Sequence, residues 1–147
     1  MRNTPHTYAG TLVRSALRQQ RPAYALNRLA DSPRAVILLR HLFTVALRRG
    51  FAGRDRREIT GYVRDLLTWL RLPARGELAR QGEALIRSAL GEPALADGIP
   101  PARRHELVCY VVGDLVRPPG ADPAVVESLV EQAELRAERY EPAGARR

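Results

Sequence analysis

Lysine is absent from this sequence, in which all 24 basic residues are arginine. A Walker-type phosphate loop, the ATP site of protein kinases, Schiff-base catalysis and pyridoxal attachment all need a lysine side chain. The absence therefore excludes several large classes of enzyme. Such a complete bias towards arginine is what a GC-rich genome produces, because its codons favour this residue.

Cysteine and long apolar runs are also scarce. The single cysteine, Cys109, cannot form an internal disulfide or a paired-thiol zinc site. No apolar run approaches the ~20 residues that span a bilayer, and the N-terminal residues lack the apolar core of a secretory signal. We therefore expect a soluble, cytoplasmic protein with no membrane partner.

The positive charge is concentrated in the first part of the chain. Residues 1–57 contain 12 arginines against only Asp31 and Asp55, a net charge of +10. Residues 58–147 contain 12 arginines and 14 acidic residues, a net charge of −2. This asymmetry indicates a polyanionic or acidic partner, or a basic surface that the protein's own fold or oligomer neutralises.

Helix start and stop signals divide the chain into segments of helical length. The sequence therefore predicts an all-α, single-domain bundle of about six helices over residues 1–140, with a frayed C-terminal tail over 141–147. The Val111-Val112 pair leaves a strand as an alternative within residues 102–117. Other helices are expected from Thr4-Pro5 to about Gln20, after Pro22, from Asp55 to about Leu72, over 74–90, and from Asp122-Pro123 to about Tyr140.

The helix over residues 33–49 is the expected centre of this bundle. Ser32 and Pro33 form a start signal, and Gly50 is expected to end the helix. Between Ala35 and Leu47 the only polar residues are Arg40, His41 and Thr44. We therefore expect this helix to be apolar nearly all round and to be surrounded by the others.

Residues capable of catalysis or metal binding form no recognisable site. His105 and Cys109 would share one face of a helix, a spacing that can activate a thiolate. Their surroundings are apolar, however, which favours a buried structural cysteine. The three histidines lack the spacing of a metal site, and neither a serine-nucleophile motif nor a glycine-rich phosphate loop is present. We expect no catalytic residue, no metal ligand and no cofactor.

Aromatic residues supply one candidate binding set. Trp69, together with Tyr62, Phe43 and Phe51, has the chemistry to stack on bases or line a ligand site. Trp69 follows the apolar Leu66 and Leu67, with Thr68 between, and precedes Leu70. We therefore expect it to flank the core.

Arginine placement is the strongest functional signal. Five guanidinium groups are expected to ring the turn between two helices, where a following helix N-terminus adds backbone N–H donors. A second set repeats at helical spacing on the first helix. An Arg-rich solvated face is the alternative. The two sets are Arg48, Arg49, Arg54, Arg56 and Arg57 at the turn, and Arg14, Arg18 and Arg21 on the first helix.

Glutamates on the last helix form a complementary acidic stripe. They recur at intervals of four and three residues, so that they share one side of the helix. The stripe consists of Glu127, Glu131, Glu134 and Glu138. We expect it to face the arginines of the first helix, in the same chain or in a neighbouring copy, with exposure to solvent as the alternative.

Three functions are compatible with these patterns. A non-catalytic module for protein interaction or self-association is favoured narrowly, since aromatic residues make up only 5% of the chain. The alternative is an accessory nucleic-acid-binding protein that contacts phosphates without reading sequence, because no helix able to read bases is recognisable. A small enzyme, or a bundle with a ligand in an interhelical groove, ranks third.

Overall fold

A computed structural model describes residues 7–51 and 53–140. The regular secondary structure of this part of the chain is entirely helical, with no strand. It contains seven α-helices, where about six were predicted, together with two short 3-10 helices at Arg28–Asp31 and Pro93–Ala96. The α-helices are α1 (Tyr8–Leu17), α2 (Pro22–Asn27), α3 (Pro33–Phe51), α4 (Arg56–Trp69), α5 (Glu77–Ala89), α6 (Pro101–Val116) and α7 (Pro123–Tyr140).

Side-chain caps begin three of these helices at the predicted residues. The Ser32 hydroxyl accepts a hydrogen bond from the Ala35 N–H at 3.4 Å. The Asp55 carboxylate accepts one from the Glu58 N–H at 3.0 Å, and Asp122 accepts one from the Ala124 N–H at 2.9 Å. Each cap satisfies a backbone donor that a helix otherwise leaves without a partner.

The first helix differs from the prediction. It ends at Leu17, before the predicted Gln20, and begins at Tyr8 with Thr7 as its N-cap. The Thr7 hydroxyl accepts a hydrogen bond from the Gly10 N–H at 2.8 Å. The predicted start at Thr4-Pro5 and the tail over 141–147 lie outside the described residues.

Helix α3 lies at the centre and packs against α1, α5, α6 and α7. Its leucines are the best buried, with Leu39, Leu42 and Leu47 fully covered. The expectation that this helix is apolar nearly all round is not confirmed, because Arg40 and Arg48 are exposed on it. The helix is amphipathic, with a wide buried face and a narrower solvent-facing one.

Helix α6 covers the segment for which a strand was the alternative. Val111 and Val112 are both buried within it. Their packing against α2 and α3 outweighs the weak preference of β-branched residues for strands.

Within residues 7–51 and 53–140, no helix combines the length and the apolar character needed to cross a membrane.

Candidate anion-binding cleft

The ends of several helices enclose an open cleft of about 860 Å³. It lies between the C-terminal part of α3, the start of α4, the end of α5 with the turn that follows, and α7. Five arginines from these elements line it: Arg48, Arg54, Arg56, Arg87 and Arg136. Among the described residues, Glu92 is the only acidic one in the lining. We call this feature the arginine cleft.

The turn between α3 and α4 brings three of these arginines together. Gly53 has a φ of 76°, a left-handed conformation that glycine adopts without steric strain. Asp55 then caps α4. As a result Arg48 at the end of α3 lies in the same cleft as Arg54 and Arg56 around the start of α4.

Ion pairs involve only part of the arginine cleft. Arg54 contacts Glu58 at 3.0 Å, and both side chains are largely exposed. Arg87 holds the Glu92 carboxylate with two hydrogen bonds, at 2.8 and 2.9 Å. These hydrogen bonds lower the pKa of Glu92, since they favour its charged form. Neither Arg48 nor Arg56 forms an ion pair with any described residue.

Two of the cleft arginines lie over aromatic rings. The guanidinium of Arg136 lies 4.8 Å from the ring centroid of Tyr140, and that of Arg54 lies 5.8 Å from the ring of Phe51. Both are cation–π distances. The Nε of Arg136 is buried and has no hydrogen-bond acceptor among the described residues. It is a donor without an acceptor at the cleft wall.

The predicted arginine ring is therefore only partly assembled. Arg48, Arg54 and Arg56 line the cleft, whereas Arg49 and Arg57 are exposed outside its lining. Sequence analysis missed Arg87 and Arg136, because nothing in the local pattern of α5 or α7 distinguishes them from other surface arginines. Only the packing of those helices brings them to the α3–α4 turn.

The arginines predicted on the first helix have separate environments. Because α1 ends at Leu17, Arg18 caps its C-terminus and Arg21 lies at the start of α2. Arg14 is only 6% exposed, and its Nε contacts Glu127 at 2.9 Å while one terminal nitrogen contacts Glu134 at 2.5 Å. Arg18 and Arg21 are exposed. Contact between the first-helix arginines and the acidic stripe therefore occurs within one chain, at Arg14.

Glu134 belongs to a buried hydrogen-bonded network. Besides Arg14, the Thr7 hydroxyl donates to its carboxylate at 2.7 Å and the Thr7 N–H at 3.0 Å. Burial opposes the charged form of Glu134, but these hydrogen bonds outweigh it, so that its pKa is lowered. Burial likewise opposes the charge on Arg14, and its hydrogen bonds to the two glutamates reverse the effect and raise its pKa. Of the remaining stripe residues, Glu131 is half-buried and Glu138 is exposed.

The remaining candidates for chemistry are the buried Cys109 and its neighbour His105. The Cys109 sulfur lies 3.6 Å from His105 Nε2, which is also 3.3 Å from the Asn27 carbonyl. Burial, aided by Glu106, raises the pKa of the thiol to about 12, so that it stays protonated at neutral pH. In the described part of the chain, no group of three or more His, Cys, Asp and Glu residues could hold a metal ion.

Comparison with protein-family models, curated proteins and solved structures finds no match to this chain.

Proposed function

We propose that this chain is a binding module that holds the phosphate backbone of nucleic acid in the arginine cleft, without reading base sequence. The observation that carries the proposal is the convergence of five arginines from separate elements on one concave surface, where the described residues include a single acidic one. Guanidinium groups bind phosphate through paired N–H donors. A concave surface of one sign also concentrates the field that attracts polyanions.

The arginine cleft is chemically available to such a ligand. Arg48 and Arg56 form no ion pair with a described residue, and Arg136 adds a further guanidinium to the lining of the cleft. The pairs of Arg54 with Glu58 and of Arg87 with Glu92 include exposed carboxylates. Solvent screens the single contact between Arg54 and Glu58, so that a phosphate can displace Glu58 from Arg54. The bidentate contact between Arg87 and Glu92 is the stronger of the two pairs.

Half of the acidic stripe is already paired within the chain. Glu127 and Glu134 contact Arg14, and neither of them lines the arginine cleft. This weakens the main argument for self-association between the two charged helices. The net charge of +8 also favours a polyanionic ligand.

A salt titration tests the proposal with two variants of equal charge. Arg48→Ala/Arg56→Ala removes two cleft arginines, whereas Arg49→Ala/Arg57→Ala removes their exposed neighbours outside the lining. Binding to random-sequence duplex DNA should weaken with salt, with a log–log slope of about −0.9 per phosphate neutralised. The cleft variant should reduce the magnitude of that slope by about 1.8, as expected for the loss of two phosphate contacts. The control variant should change it much less.

Two results would contradict the proposal. If the two variants lose the same amount of DNA affinity, then net charge, and not the cleft, determines that affinity. Tight binding of one sequence that resists salt would indicate base readout, for which the proposal has no structural element.

Protein interaction or self-association remains the second candidate. One observation favours it: Glu131 and Glu138 of the stripe form no ion pair with a described residue. If these residues mediate assembly, sedimentation at increasing protein concentration should show association that Glu131→Arg/Glu138→Arg changes. An unchanged monomer would remove this candidate for self-association.

A further inference from the structure

A second pocket exposes aromatic side chains to solvent. It measures about 530 Å³ and lies where the start of α2 meets the C-terminal ends of α4 and α6. Three aromatic residues line it: Trp69 is 71% exposed, Tyr24 is 46% exposed, and Tyr110 is half-buried. The expectation that Trp69 flanks the core is therefore wrong. The buried stripe of α4 consists of Ile59, Val63, Leu66 and Leu67, and Trp69 falls outside it.

Arginines surround these aromatic rings. Arg21, Arg71 and Arg117 line the same pocket, and none of them forms an ion pair with a described residue. Of the described residues in the lining, one is acidic: Asp114, whose carboxylate accepts a hydrogen bond from the Tyr62 hydroxyl at 2.7 Å. The pocket thus combines flat apolar rings with an excess of positive charge.

This combination fits single-stranded nucleic acid better than duplex. Bases of a single strand can stack on aromatic rings while arginines hold the flanking phosphates. In a duplex the bases are stacked on one another and their faces are not accessible. An exposed tryptophan in a pocket lined by arginines therefore has the chemistry of a base-stacking platform.

Helix α4 connects the two sites. Arg56, at its first residue, lines the arginine cleft, and Trp69, at its last residue, lines the aromatic pocket. Thirteen residues of helix separate them by about 20 Å, and a stacked strand covers that distance in about six nucleotides. Arg64 is exposed on the helix between the two sites. One short strand is long enough to reach both.

We infer that the aromatic pocket stacks one or two bases of single-stranded nucleic acid on Trp69 and Tyr24, while Arg21, Arg71 and Arg117 hold the adjacent phosphates. The inference rests on the proposed function of the arginine cleft and specifies the form of nucleic acid bound.

Trp69 is the only tryptophan in the chain, so its fluorescence reports directly on this pocket. Single-stranded oligothymidylate should quench it, whereas a heparin fragment, which carries negative charge but no bases, should bind the cleft without quenching. Trp69→Ala should weaken binding of the oligonucleotide roughly 5- to 150-fold, the range found for removal of a stacking aromatic ring. It should leave heparin binding unchanged, and Trp69→Phe should retain part of the affinity.

A matched control comes from another exposed aromatic residue. Tyr8 is 73% exposed on α1 and lines neither the arginine cleft nor the aromatic pocket. Tyr8→Ala should leave oligonucleotide affinity unchanged. Circular dichroism of each variant checks that the fold persists, as expected for substitutions at exposed positions.

The possible negative results distinguish failure of the base-stacking inference from failure of the cleft proposal. If oligothymidylate binds in the salt-dependent way described above but neither quenches Trp69 nor depends on it, the base-stacking inference falls and the cleft proposal stands. If neither oligothymidylate nor heparin binds, both fall. Quenching by poly-glutamate but not by oligothymidylate would show that the pocket takes an acidic polypeptide, and would overturn the inference.

Discussion

At the scale of single residues, the guanidinium of Arg14 is buried between two helices that are distant in sequence. It reaches two glutamates that lie seven residues apart, about two turns, on one face of α7. A buried ion pair of this kind strongly penalises the loss of one partner, because the other charge is then left uncompensated. The network therefore specifies how α1 docks on α7.

Glu134 should make stability depend on pH. Its pKa is lowered in the folded protein from an ordinary value of 4.5, so that the unfolded state binds more protons between the two pKa values. Its contribution is complete above about pH 4.5 and is lost as the pH falls through the folded pKa. Urea unfolding measured from pH 3 to pH 7 should show this acid-side loss of unfolding free energy.

The Glu134→Gln variant is the control for this pH dependence. It keeps the shape of the side chain and removes the titrating group, so the acid-side slope should become shallower. An unchanged slope would assign the pH dependence to other carboxylates.

Gly10 is required where Arg14 and Glu134 meet. A Cβ at this position would collide with the Glu134 carboxylate and with a terminal nitrogen of Arg14. Gly10→Ala should therefore lower the free energy of unfolding by about 1–3 kcal/mol, the usual cost of overpacking a buried site. Denaturant midpoints measure the effect.

Gly61→Ala is the control for Gly10→Ala, because Gly61 is exposed whereas Gly10 is buried. Gly61 lies within α4, and a Cβ added there would meet no atom within 4 Å. Gly61→Ala should stabilise the protein by up to about 1 kcal/mol, since alanine is the better helix former. If the two substitutions changed the free energy of unfolding equally, the proposed collision of a Cβ at position 10 with Arg14 and Glu134 would be contradicted.

At the scale of elements, the Asp55 cap fixes where α4 begins and so where Arg54 and Arg56 enter the cleft. Asp55→Ala should lower the free energy of unfolding by about 1 kcal/mol, because the Glu58 N–H loses its acceptor. Asp55→Asn should be nearly neutral, since asparagine caps helices about as well. Denaturant unfolding of both variants checks this.

Asp55→Ala and Asp55→Asn also distinguish the effect of helix capping on the cleft from the effect of local charge. Both substitutions remove one negative charge beside the cleft arginines, so both should strengthen polyanion binding at low salt. A gain in affinity for only one of the two would mean that the position of α4, and not the local charge, controls the cleft.

Helix α7 contributes residues both to the Arg14 network and to the arginine cleft. Its first half supplies Glu127 to the Arg14 network, and its second half supplies Arg136 to the arginine cleft. Glu134 lies between them on the same helix. Anchoring of α7 on α1 therefore helps to position Arg136, a residue of the arginine cleft.

At the scale of the whole molecule, the arginine cleft exists only in the folded chain. Residues from 48 to 136 contribute to it, so a ligand held there should bind the native state in preference to the unfolded one. A heparin fragment at 100 times its Kd should stabilise the protein by about 2.7 kcal/mol. For a chain of this size that corresponds to a rise in Tm of roughly 5–10 °C.

The cleft variant provides the comparison for this thermal shift. At the same heparin concentration, Arg48→Ala/Arg56→Ala should show a smaller rise in Tm than Arg49→Ala/Arg57→Ala. Identical shifts would place the polyanion on the general basic surface.

Local signals were sufficient for the secondary structure. The caps at Ser32, Asp55 and Asp122 act over three residues or fewer, and proline and glycine restrict or free the backbone where they stand. Such effects are visible in sequence because donor and acceptor are close neighbours along the chain. The all-helical fold and the bounds of most helices were predictable for this reason.

Tertiary packing alone decided which charged and aromatic side chains are exposed to a ligand and which are buried. The pattern of α1 places Arg14 and Arg18 on one stripe, yet docking against α7 buries Arg14 and leaves Arg18 in solvent. Trp69 follows core leucines in sequence, but no helix packs over it at the end of α4. Arg136 enters the cleft by the rotation of α7, a property of interhelical contacts that has no signature within a single segment.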